Sequence, residues 1–103
     1  MNVDKRKQVS SIAPRCYVEI DTTAYAHNLQ RARDLAPSAQ VMAVIKADAY
    51  GHGMELAAEH LSDADEFAVT SLEDVHRLHE QGIEKPLTLL SATFDLADLG
   101  YFC

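Results

Sequence analysis

The fold turns on VIKADAYGHG, residues 44–53. It closes an apolar run, Val41-Met42-Ala43-Val44-Ile45, that stops abruptly at Lys46; then come an acid, a tyrosine, and a histidine between two glycines. The run has no polar residue and no alternation, the pattern of a strand buried on both faces in a parallel sheet covered by helices. Lys46 then stands at the carboxyl end of that strand, and Gly51 and Gly53 turn the chain into the next helix. In sheets of this kind ligands bind at the carboxyl ends of the strands.

Upstream, Cys16-Tyr17-Val18-Glu19-Ile20 alternates and predicts a strand with one buried face. Asp21 or Thr22 caps the next helix, since either side chain accepts from free N–H groups. That helix places Tyr25, Leu29, Ala32 and Ala36 on one face and stops at Pro37. After Gly53 a short helix carries Met54, Ala58 and Leu61 on its inner side. Residues 66–70 predict another strand, and Ser71 caps a helix with Leu72, Val75, Leu78 and His79 facing inward. Gly82 sits where a helix end calls for positive φ, and residues 87–90 predict the next strand. From residue 40 the order is strand, helix, strand, helix, strand, which means parallel strands with crossover helices, an α/β fold.

The 103 residues suffice for one small domain, and a hydrophobic content of 48% supports a packed core. The net charge of -7 argues against nucleic-acid or anionic-membrane partners. Lys5, Arg6 and Lys7 hold three of the nine basic residues; residues 1–14 read as a flexible, solvated lead-in. The two cysteines, Cys16 and Cys103, make no disulfide framework and fit a reducing compartment. There is no secretory signal and no apolar run of the ~18 residues that would span a bilayer. The expectation is a soluble, cytoplasmic protein. The chain closes on Tyr101-Phe102-Cys103 with two sheet edges open, which reads as a cut through a domain.

Lysines occur at positions 5, 7, 46 and 85, so Lys46 is isolated and comes directly after a hydrophobic strand. An amine at the rim of an apolar core is poorly hydrated and becomes a nucleophile able to form imines. Gly51-His52-Gly53 offers backbone N–H groups at a helix start, where phosphate is favoured, and Tyr50 supplies a hydroxyl. An imine-forming lysine beside a phosphate cradle is what pyridoxal phosphate requires. On residues alone the bland reading stands beside this one, because a lysine closing a strand is commonly a surface residue and a Gly-x-Gly turn is common.

The string Ala43-Val44-Ile45-Lys46-Ala47-Asp48-Ala49-Tyr50-Gly51-His52-Gly53 resembles the cofactor-lysine signature of alanine racemases, enzymes dependent on pyridoxal phosphate. Val18-Glu19-Ile20-Asp21 with His27-Asn28-Leu29 is similar to that family's opening strand and helix, and Phe67-Ala68-Val69 with Ser71-Leu72-Glu73-Asp74 to its next pair. The resemblance covers residues 16 to about 96. It implies a partial (β/α)₈ TIM-type barrel: the first three barrel strands with their helices, preceded by one extra strand and helix. Residues 15–103 would be the N-terminal portion of the cofactor-binding barrel, and the strand at 16–20 would belong with the family's C-terminal β domain.

By position, the resemblance implies that Lys46 binds pyridoxal 5′-phosphate covalently and serves as one of two catalytic bases. Tyr50 would hydrogen-bond the cofactor phosphate, and Gly51 and Gly53 would shape the loop. Asp48 and His52 are motif members with packing or loop-stabilising roles. The implied activity is interconversion of L-alanine and D-alanine, the latter for peptidoglycan, by a homodimer. The second base, a tyrosine of the C-terminal domain, and the arginine facing the pyridine nitrogen lie in later family segments. A barrel takes ~250 residues, so a truncated fragment that at most binds cofactor or pairs with an intact subunit is the alternative, as is a broader amino-acid racemase. His76, His79, Asp74 and His60 are the nearest approach to a metal site; they lack the three or four spaced ligands of zinc sites, and no metal is expected.

Overall fold

The computed structural model describes residues 15–91, together with the backbone of Val3 and Asp4. Two short strands, β1 (Val3–Asp4) and β2 (Ile20–Asp21), pair antiparallel, with Val3 opposite Asp21. Helix α1 (Thr23–Leu35) leads to β3 (Met42–Val44). The turn α2 (Lys46–Tyr50) and helix α3 (Met54–His60) precede β4 (Glu66–Val69). Helix α4 (Leu72–Glu80) and β5 (Leu87–Leu89) complete the described part. Strands β3, β4 and β5 form a parallel sheet in that order. The expected α/β alternation is therefore present.

The register assigns the faces. In parallel strands, partners in register share a face and neighbours along a strand alternate. Ala43, Phe67 and Leu87 are in register, as are Val69 and Leu89. These residues pack against Met54, Ala57 and Ala58 of α3 and Val75 and Leu78 of α4. Phe67, Met54 and Leu78 are fully buried.

The opposite face carries Met42, Val44, Ala68 and Thr88. Ala68, in the central strand, is buried, but Met42 and Val44 are exposed, Val44 at 53%. This corrects the expectation that β3 is buried on both faces. Helices cover one side of the sheet alone among the described residues, so alternate positions of an all-apolar strand meet different surroundings.

Other expectations change in detail. The strand predicted over 16–20 is confined to Ile20 and Asp21, and Val3 and Asp4 of the lead-in pair with it. On α1, Leu29 is buried and Tyr25 partly so, whereas Ala32 and Ala36 are exposed. The main helix contact of α1 is with α3, and in its last turn Arg33 reaches Asp65 while Ala32 and Ala36 stay in solvent. His79 is exposed, while Leu72, Val75 and Leu78 face the core.

The helix ends obey local chemistry. Asp21, not Thr22, caps α1: its Oδ1 accepts from the Thr23 N–H at 3.1 Å and the Thr23 hydroxyl at 2.6 Å. The Thr23 hydroxyl, foremost, holds the Asp21 carboxyl below its ordinary range. Ser71 Oγ accepts from the Asp74 N–H at 3.1 Å and starts α4. Its end is a Schellman motif, with Ile83 N–H on the Leu78 carbonyl and Gly82 N–H on that of His79, both at 3.0 Å. Gly82 has φ +95, as its position in the sequence requires.

Candidate functional site

Strand β3 delivers Lys46 through Ile45, whose N–H continues the ladder to the Ala68 carbonyl at 3.0 Å and whose side chain is 2% exposed. Ile45 anchors the chain in the core, and Lys46 is the next residue out, half-buried. The segment beyond it is not an ordinary helix. Ala47, Asp48, Ala49 and Tyr50 have φ of 53, 54, 52 and 54, one left-handed turn made entirely of L-residues with side chains.

Left-handed geometry costs roughly 1–2 kcal/mol per residue with a Cβ, so four in a row cost on the order of 4–8 kcal/mol. That is comparable to the whole stability of a small domain, ~5–15 kcal/mol. Strain of this size persists only where the surroundings over-determine it, and it concentrates at functional sites.

Asp48 supplies much of that determination. Its backbone carbonyl accepts from Gly51 N–H at 3.2 Å and Gly53 N–H at 2.9 Å. Its side-chain Oδ1 accepts from the Met54 N–H at 2.9 Å, at the first residue of α3. The Ala49 carbonyl accepts from His52 N–H at 3.2 Å and from His52 Nδ1 at 2.9 Å. A carbonyl only accepts, so Nδ1 carries the proton in this contact. The donors of residues 51–54 are thus spent inside the loop. The N–H groups of Gly51, His52 and Gly53, expected to cradle a phosphate, go to backbone carbonyls, and that of Met54 to the Asp48 carboxylate. Gly51 and Gly53 have φ of +94 and +95. A Cβ on Gly51 would meet nothing within 4 Å, so its requirement is the backbone angle and not space.

Tyr50 closes the turn with its side chain exposed, 74% of it. Tyr50, Gly51 and His52 form one wall of a cleft of about 530 Å³ whose other wall is the start of α1, with Ala24, Tyr25 and Asn28. His52 meets the Tyr25 ring edge-on at 6.3 Å, and His60 stacks on the same ring at 6.2 Å. The aromatic contacts bind the turn to α1. Lys46 is not part of this cleft's wall; Lys46 and Tyr50 stand at the two ends of the turn.

Two arginines brace the scaffold through ion pairs. Arg77 of α4 donates from Nε to Glu55 Oε1 of α3 at 2.7 Å and lies 3.6 Å from Asp74. Its hydrogen bond to Glu55, foremost, raises the guanidinium above its ordinary value. Arg33 of α1 pairs with Asp65 at 3.4 Å. No group of three His, Cys, Asp or Glu side chains is placed to hold a metal among the described residues. No helix there is long and apolar enough to cross a membrane.

The alanine racemase N-terminal domain family matches residues 20–102. The chain belongs to that family. It is 51% identical over 82 residues to the biosynthetic alanine racemases of Salmonella typhimurium and Escherichia coli K12, covering 80% of this chain and 23% of each relative. Among solved structures, alanine racemase from Acinetobacter baumannii superposes with a TM-score of 0.76 at 33% identity, over 80% of this chain and 23% of that one. The biosynthetic alanine racemase of Pseudomonas aeruginosa gives 0.72 at 34% identity, with the same coverage. The chain thus spans about a quarter of the length of these alanine racemases, and its sheet is the first part of their barrel.

Lys46, Tyr50, Gly51 and Gly53 lie on and just after the turn that follows β3. The left-handed turn is not legible in the sequence. Alanine is a right-handed helix former, so Ala47 and Ala49 carry no signal for positive φ; Asp48 alone tolerates it.

Proposed function

We propose that this chain is the cofactor-lysine segment of a pyridoxal phosphate-dependent alanine racemase. The observation that carries the reading is the strained turn of residues 47–50, set between a lysine that leaves the core and an exposed tyrosine. An amine and a phenol hydroxyl held by one rigid turn fit a ligand with an aldehyde and a phosphate. In this reading the Tyr50 hydroxyl makes the phosphate contact, supported by the N–H groups of residues 51–54 already donating inside the loop.

When bound, the cofactor withdraws electrons and so acidifies the substrate's Cα–H. Lys46 Nζ anchors the cofactor and moves a proton to or from one face of that carbon. Tyr50 donates its hydroxyl to the phosphate. Gly51 and Gly53 keep the turn's shape. Alanine as substrate, a cytoplasmic setting, D-alanine supply for the cell wall and a homodimer belong to this reading through the relatives' names and family.

A second reading concerns the chain taken alone, and it is favoured by the chain's spanning 23% of its relatives. In it the second base belongs to later family segments, and the chain by itself at most binds cofactor or pairs with an intact subunit. The test of the main reading is to add pyridoxal 5′-phosphate, reduce with borohydride, digest, and locate the adduct by mass. A dominant adduct on Lys46 over Lys5, Lys7 and Lys85 is expected; equal labelling overturns the reading. D-alanine formation by the chain alone would overturn the second.

A further inference from the structure

We infer that Asp48 is the positioning residue of this site: it latches the left-handed turn to α3 and thereby sets Lys46 and Tyr50 for the cofactor. The inference rests on the reading of Lys46 as the cofactor lysine.

Three observations converge on Asp48. It is in the interior of the run of positive φ, at φ 54 and ψ 36. Its main-chain carbonyl gathers Gly51 and Gly53, which closes the loop on the carbonyl side of the turn. Its side chain reaches across the loop to the Met54 N–H, and Met54 is fully buried in the core. The latch therefore ties the run of positive φ to a fully buried point of the core. A turn that costs this much relaxes toward right-handed geometry when its restraint is removed. Relaxation would swing Tyr50 relative to Lys46, because the two residues stand at the two ends of the turn. The carboxylate also lies where the helix dipole favours negative charge, and it contributes to raising the Arg77 guanidinium across α3 and α4. No other side chain in the turn can take its place: Ala47 and Ala49 have no acceptor, and Tyr50 points its ring outward at 74% exposure.

The test uses the whole chain with pyridoxal 5′-phosphate as probe, and reads the ratio of reductively trapped label on Lys46 to that on Lys85. Lys85 is a control at the opposite end of the sheet, just before β5, donating to the Ala64 carbonyl at 2.6 Å. Asp48→Ala is expected to lower the ratio about tenfold, the weight of one charge-assisted hydrogen bond. Asp48→Asn is expected to restore it, since its amide oxygen still accepts from Met54 and asparagine tolerates positive φ. Circular dichroism on each variant reports the helices. Should Asp48→Ala lose its fold, Asp48→Gly decides, because glycine relieves position 48 alone, leaves Ala47, Ala49 and Tyr50 at positive φ, and lacks the latch. A ratio unchanged in the folded variant, or loss of fold in both, overturns the inference. A wild-type chain with no preference for Lys46 overturns the proposed function instead.

Discussion

Asp65 and Val41 grip one another through two hydrogen bonds: Asp65 Oδ2 accepts from the Val41 N–H at 2.6 Å, and the Asp65 N–H donates to the Val41 carbonyl at 2.9 Å. This double contact joins the residue before β3 to the residue before β4. It fixes the register of the two strands one step before the sheet begins, and so sets where Lys46 emerges at the other end.

The same contact makes stability depend on pH. The Val41 N–H, with Arg33 behind it, holds the Asp65 carboxyl below its ordinary value of 3.8. A depressed carboxyl stabilises the fold above its unfolded value and loses that contribution as pH falls through the folded one. Acid titration of the wild-type chain is expected to show falling stability from about pH 4 downward. Asp65→Asn is expected to flatten that limb, read as the thermal midpoint against pH; an unchanged acid limb counts against the role.

Phe67 and Val44 sit on adjacent strands but on opposite faces of the sheet. Phe67→Ala leaves a cavity among α3 and α4 and is expected to cost about 3–5 kcal/mol. That approaches the stability of a small domain and unfolds much of the population. Val44→Ala, at 53% exposure, is expected to cost less than about 1 kcal/mol by area. Urea unfolding read by circular dichroism separates the two; equal losses would mean the face assignment is wrong.

Ser71→Ala removes the acceptor that starts α4 and is expected to cost about 1 kcal/mol. Ser71→Asp keeps an acceptor and adds favourable charge at the helix start, so it is expected to retain wild-type stability. The midpoints of urea titrations for the two variants provide the check.

Gly82→Ala places a Cβ on a residue with φ +95, in open space. The cost is conformational alone and is expected at about 1–2 kcal/mol. Ala47→Gly is the reverse change, at φ 53, and is expected to raise the thermal midpoint. A rise on Gly82→Ala, or a fall on Ala47→Gly, would contradict the backbone assignments at those positions.

Features that depend on local periodicity and residue type are legible in the chain itself. Strand and helix alternation from β3 to β5, the Ser71 cap, the Gly82 end of α4 and the isolation of Lys46 are all written in neighbours a few positions apart. The string around Lys46 is enough to point to the family. Features that depend on partners distant in sequence, or on strain, belong to the tertiary structure. Val44 and Ile45 are both apolar, yet one is exposed and one buried, because helices cover one face of the sheet among the described residues. Asp65 looks like an ordinary loop acid until its carboxylate meets Val41, 24 residues earlier. The left-handed turn is hidden most deeply, since alanine favours the opposite hand. Hydrogen bonds gathered by Asp48 and Ala49, with the His52 contact to Tyr25, offset a backbone that its own residues disfavour.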